Sequence, residues 1–112
     1  VVRGADLLDS TARQILLQRM LSLPTPRYAH LPLLLDAEGR KLSKSEQAIP
    51  VDARDPMPAL RSVWDALGQA PIDAQSPSTF LARAREGFEI ARVPAHDVVI
   101  AASHNTAVTR GA

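Results

Sequence analysis

Hydrophobic residues recur at helical spacing in three stretches of the chain. Ile15, Leu16, Met20 and Leu23 predict a helix from about Ala12 to Ser22. Thr11 and Gln14 fit a capping box at its start, and Pro24 and Pro26 end it. Leu60, Val63, Trp64 and Leu67 predict a second helix, with Asp55 as cap, Pro56 in the first turn and Gly68 as stop. Ser76-Pro77 repeats the start signal, Phe80, Leu81 and Ala84 supply a face, and Gly87 closes it. Two shorter apolar runs read as extended. Val1 to Gly4 looks like a strand entering a loop, and Leu33-Leu34-Leu35 like a buried strand once Pro32 is passed. The order is strand, helix, strand, then a small helical module. From Ala101 onward the chain is rich in Ala, Ser, Thr and Asn, and fraying is expected over 101–112.

Composition narrows the function classes. The 112 residues carry 13 Lys and Arg against 12 Asp and Glu, a net charge of +1. Residues 1–50 hold +2 and the remainder −1, too slight an asymmetry to mark a polyanion-binding face. Any such site must be local. No apolar run approaches the ~18–20 residues that span a bilayer, so a membrane partner is not expected. Cysteine is absent, which removes disulfides, thiol catalysis and cysteine metal sites. His30, His96 and His104 are too far apart for a local metal motif.

The most informative stretch follows the turn Asp36-Ala37-Glu38-Gly39. Arg40-Lys41-Leu42-Ser43-Lys44-Ser45 is polar and basic. Lys41 and Lys44 form an ammonium pair on flexible stems that could close on a polyphosphate and stabilise charge as pyrophosphate leaves. On the pentapeptide alone, a solvated basic loop is the commoner outcome for so short a match.

Three blocks together carry a resemblance. Arg3-Gly4, then His30-Leu31-Pro32-Leu33-Leu34, then Lys41-Leu42-Ser43-Lys44-Ser45 resemble, in order and spacing, the second half of a class I aminoacyl-tRNA synthetase catalytic domain of the glutamyl branch. The last block is similar to that class's KMSKS motif, with Leu at the second position. The short tail AIPVDARDPMPALRSVWDALGQ resembles the truncated glutamyl-queuosine tRNA(Asp) synthetases within the branch. The resemblance implies activation of glutamate with ATP and Mg to glutamyl-adenylate. Transfer to queuosine in the anticodon of tRNA(Asp) follows. It also implies a cytoplasmic enzyme, monomeric when full length.

Roles carry over by position. Arg3 is implied as the ligand of a glutamate carboxylate, against the plainer reading of a strand-end surface ion pair. Lys44 is implied to bind ATP and act in catalysis with Lys41, and Ser43 to donate to a phosphate. The backbone of Leu33 and Leu34 is implied to border adenine. Asp6 stands where the family often has an acidic residue near ATP. His30 reads as structural or a phosphate-side neighbour rather than a general base, because the attacking carboxylate is already ionised. Trp64, on an apolar stripe, reads as core.

The family's HIGH motif and zinc-binding cysteines have no counterpart here, so zinc is implied only for the full-length family. The expected fold is α/β. Residues 1–50 would be the C-terminal part of a Rossmann-like catalytic domain and 51–100 a small helical module. The chain opens on Val1 as though a preceding half were missing, and alone it is expected to lack useful adenylation activity. The alternatives are a piece of an ordinary glutamyl-tRNA synthetase charging tRNA(Glu), and a non-catalytic module that binds tRNA or protein.

Overall fold

A computed structural model describes residues 1–44 and 51–100, and the backbone of 107–109. Strand β1 (Val2–Gly4) leads through a 3-10 turn (Ala5–Leu7) into helix α1 (Leu8–Met20) and back to strand β2 (Ala29–Leu31). β1 and β2 pair in parallel, with Arg3 opposite His30. This is a parallel crossover unit, the geometry that a strand–helix–strand order requires.

Helix α1 begins earlier than its capping box predicts. It starts at Leu8, and Thr11 lies inside it. The Thr11 hydroxyl donates back to the Leu7 carbonyl at 3.0 Å instead of capping the Gln14 amide. The helix stops at Met20, before the prolines act. Ser22 takes a left-handed conformation (φ 57°), and the Leu23 amide donates to the Gln18 carbonyl at 2.8 Å. That is a Schellman ending with serine in the place glycine usually fills.

The strand predicted at Leu33-Leu34-Leu35 forms at Leu34–Leu35 as β3, half-buried and in a different sheet from β1, whose partner β2 precedes Pro32. Strand β4 (Val98–Ile100) pairs in parallel with β3, and β5 (Ala107–Thr109) pairs antiparallel with β4. The helical module therefore ends in a strand that returns to the N-terminal part. Apolar Val98-Val99-Ile100 carries the β-branched signal for it. Residues 107–109 are a strand where fraying is expected, while 45–50, 101–106 and 110–112 lie outside the described residues.

Helix α2 (Met57–Ala66) and helix α3 (Pro77–Gly87) form the apolar core. Asp55 does not cap α2; Pro56 occupies the cap position without a side-chain bond. Ser76 does cap α3, accepting from the Thr79 amide at 3.3 Å. Phe80, Ala84 and Ala74 are buried, with Met57, Leu60, Trp64 and Ile72 packed on them. Trp64 meets Phe80 edge-on at 6.0 Å between centroids and donates its indole N–H to the Ala70 carbonyl at 2.7 Å. It is a core residue. Leu81, predicted on the apolar face, points to solvent instead.

Gly68 ends α2 in the left-handed region (φ 67°), and a Cβ there would lie 2.5 Å from the Arg92 carbonyl oxygen. Beside it, buried Gln69 donates to the carbonyls of Leu67 and Glu89 and accepts from the Glu89 amide. These two residues fasten the segment after α3 to the end of α2.

Candidate active site

The end of β1 and the turn after it gather the polar groups. Arg3 leaves β1 beside β2 and α1, and its guanidinium is held on several sides. Nη1 donates to Gln14 Oε1 at 2.6 Å, Nη2 to Thr11 Oγ1 at 2.7 Å, and Nε to His30 Nε2 at 3.1 Å. A longer contact at 3.4 Å runs from Nη2 to the Leu7 carbonyl. The Tyr28 ring lies under the guanidinium at 4.9 Å and is stacked with His30. The Tyr28 hydroxyl accepts from Gln18 at 2.9 Å. Arg3 is therefore a preorganised fork in a half-buried setting, not a strand-end residue in a surface ion pair.

Gly4 follows directly. A Cβ at this position would stand 2.6 Å from Asp6 Oδ1. The missing side chain leaves room for the Asp6 carboxylate, which accepts from Lys41 Nζ at 2.8 Å across 35 residues of chain. The hydrogen bond from Lys41 holds the Asp6 carboxyl below its usual value. Partial desolvation opposes this, and the charges of Lys41 and Lys44 reinforce it. The basic segment thus faces the turn after Arg3.

That segment is more ordered than a loop. Lys41 bridges to Leu35, and Leu42–Lys44 form a 3-10 turn closed by the Lys44 amide donating to the Lys41 carbonyl at 2.9 Å. Its base is the turn of Asp36, whose buried carboxylate accepts from the amides of Glu38 and Arg40 and from Arg40 Nε. Ser43 and Lys44 are exposed, and Ser45 lies outside the described residues.

Leu33 and Leu34 differ. The Leu33 amide donates to Asp97 Oδ1 at 3.0 Å, and its carbonyl accepts from the Val98 amide at 2.9 Å. Its backbone is engaged by the C-terminal strand, so a purine at Leu33 could meet only apolar atoms. In the parallel register of Leu34 with Val98, the Leu34 amide points away from β4.

The structure brings together Arg3, Asp6 and Lys41, and places Ser43 and Lys44 in the same basic turn. Sequence reasoning assigned Thr11 and Gln14 to a cap and gave His30 no part in holding Arg3. Their signal was available in two facts. Thr11 and Gln14 share a helix face at i and i+3, and His30 stands across the parallel register from Arg3. Asp97 was not singled out, since only the strand pairing brings it near.

Among the described residues no group of three His, Asp or Glu could hold a metal ion. With no cysteine in the chain, these residues do not make a zinc site. No helix among the described residues is long and apolar enough to cross a membrane.

Residues 1–59 match the family described as tRNA synthetases class I (E and Q), catalytic domain. The chain is 69% identical over 71 residues to the Glutamyl-Q tRNA(Asp) synthetase of Xanthomonas campestris pv. campestris, covering 63% of this chain and 24% of that protein. It is 52% identical over 97 residues to the Glutamyl-Q tRNA(Asp) synthetase of Burkholderia mallei, covering 87% of this chain and 31% of that protein. The chain therefore spans only a quarter to a third of the length of these relatives.

Proposed function

The chain belongs to the class I tRNA synthetase catalytic-domain family for glutamate and glutamine, and from that premise we propose that it forms part of an enzyme glutamylating queuosine in tRNA(Asp). The observation that carries the reading is the Asp6–Lys41 bridge at 2.8 Å. It sets the basic turn against the strand end that presents Arg3.

In this reading Arg3 holds a carboxylate of glutamate through a charge-assisted hydrogen bond. The reacting carboxylate, ionised at neutral pH, attacks the α-phosphorus of ATP in line, and the bond to pyrophosphate breaks. No protein base is needed. Lys44 and Lys41 stabilise the charge growing on the leaving pyrophosphate, and Ser43 donates to a phosphate oxygen. Lys41 must exchange Asp6 for phosphate to take part. Leu34 borders the adenine. Mg bound to the incoming ATP would offset part of the phosphate charge, leaving the rest to Lys41 and Lys44. The glutamyl group then passes from the adenylate to a hydroxyl of queuosine and AMP leaves. Residues 1–50 would supply the part of a Rossmann-like domain that carries the basic turn, with β1–α1–β2 as its crossover unit. Residues 51–100 would supply the helical module. The enzyme would work in the cytoplasm as a monomer.

The names of the relatives support tRNA(Asp) as acceptor. The test is charging by the full-length protein, with glutamate and ATP, of tRNA(Asp) with and without queuosine. Glutamylation confined to the queuosine-containing tRNA is the expected result. Equal charging of both, or charging of tRNA(Glu), would overturn the acceptor assignment.

A further inference from the structure

Arg3 has an unusual number of partners for a residue that must also grip a substrate. A guanidinium carries five N–H groups and no acceptor, and it keeps its charge throughout the working pH range. Four of these groups point at Gln14, Thr11, the Leu7 carbonyl and His30. One hydrogen on Nη1 is left for a ligand, and a second becomes available only if Nη2 gives up its 3.4 Å contact with the Leu7 carbonyl. The carboxylate therefore meets a fork whose orientation is already set.

The contact with His30 fixes the state of that imidazole. Arg3 Nε always carries its hydrogen, so His30 Nε2 can only accept. The Thr11 hydroxyl stands 3.2 Å from the same nitrogen, but its one hydrogen goes to the Leu7 carbonyl, so the accepting role of Nε2 is set by Arg3. His30 must therefore be neutral, with its proton on Nδ1. A protonated imidazole would turn an N–H toward a guanidinium N–H and set two cations side by side. The charged and titratable groups around it are few. Arg3 faces it from β1, and Tyr28 stacks on it from the segment before β2. Asp6, in the turn beside β2, is engaged by Lys41. From α1 only neutral Thr11 and Gln14 reach the cluster. Among the described residues no carboxylate is hydrogen-bonded to His30.

We propose that His30 is a positioning residue which, as a neutral imidazole with its proton on Nδ1, aims the Arg3 guanidinium at the substrate carboxylate. This rests on the reading of Arg3 as the glutamate ligand. Glutamate affinity should then depend on the acceptor nitrogen of His30 although His30 never touches the substrate.

The test is glutamate-dependent ATP–pyrophosphate exchange by the full-length protein. His30→Phe keeps a ring to stack on Tyr28 but removes the acceptor. It should raise KM for glutamate about 10- to 100-fold, the range for losing a hydrogen bond to a charged group, with a much smaller change in kcat and none in KM for ATP. His30→Gln, which offers a carbonyl oxygen in place of Nε2, should recover most of the loss. Nitrogen-15 spectra of histidine-labelled protein should show a bare Nε2 and a protonated Nδ1 at neutral pH. Normal exchange with an unchanged glutamate KM in His30→Phe would overturn the positioning role alone. So would a proton on Nε2, whatever the activity. No glutamate-dependent exchange by the unaltered protein would instead overturn the proposed function.

Discussion

Helix α1 and the pair α2–α3 are held by different forces. No residue of α1 is buried, and Leu16, Leu17 and Met20 are each more than half exposed. What ties α1 to the strands is polar: Thr11 and Gln14 on Arg3, and Gln18 on Tyr28. In α2–α3 the ties are apolar, with Phe80 only 2% exposed and Trp64 lying across it. The contrast separates stability from chemistry. Burial of the Phe80 ring contributes on the order of 2–3 kcal/mol. The hydrogen bonds around Arg3, in addition to what each contributes, fix the direction of a charged group.

The largest expected effect lies in the apolar pair. Phe80→Ala should cost about 3–5 kcal/mol in denaturant unfolding of the full-length protein. Leu17→Ala on α1 should stay within about 0.5 kcal/mol. Equal losses would break the contrast and mean that another segment covers α1. Next comes chemistry without stability. Lys44→Ala should lower pyrophosphate exchange about 10²–10³-fold, as loss of one preorganised donor does, with the unfolding midpoint unchanged. A shifted midpoint would make Lys44 structural.

The two helix endings sharpen the comparison further. Gly68 and Ser22 hold equivalent left-handed positions after α2 and α1. Gly68→Ala should destabilise by at least about 1–2 kcal/mol, because its methyl would meet the Arg92 carbonyl as well as the unfavourable φ. Ser22→Gly should stabilise by roughly 0.5–1 kcal/mol, since glycine relieves that φ. Thermal melts of the two variants should move in opposite directions.

The smallest effect is on pH. Lys41 depresses the folded-state carboxyl of Asp6. Its contribution is therefore complete above the unfolded value, about 3.9, and is lost as the pH falls through the lower folded value. Asp6→Asn should therefore lower stability slightly at neutral pH and flatten the acid limb, so that the two stability titrations converge below the folded value. An unaltered acid limb would mean that the pair contributes nothing to folding.

Local patterns revealed much of this architecture. Ser76-Pro77, Gly68, and Leu60 and Trp64 of the apolar stripe each act within one helix and appear where their chemistry places them, while Val63 of the same stripe is exposed. Long-range pairing was less legible. Nothing near Leu33 in sequence indicates that Asp97 will accept its amide hydrogen, or that Val98 will pair beside it. Asp55 and Thr11 show a second limit. Residues suited to helix caps are also suited to other hydrogen bonds, and in Thr11 the pull of Arg3 prevailed. The basic turn was readable as a motif, but its rigidity depends on the buried Asp36 carboxylate, and burial is set by tertiary contacts.

The bond between Leu33 and Asp97 joins residues 64 positions apart, and this separation has a consequence for the order of assembly during synthesis. Helices α2 and α3 need only neighbours close in sequence and can form early. The parallel pairing of β3 with β4 must wait for the whole intervening segment. At about 5–20 residues per second of translation, several seconds pass after Lys44 leaves the ribosome before Asp97 follows. During that interval the strand leading into the basic turn has no partner on its β4 side. The nascent chain thus carries its ammonium groups long before their scaffold is complete, and the ATP binding proposed for them would be a late event in the life of the chain.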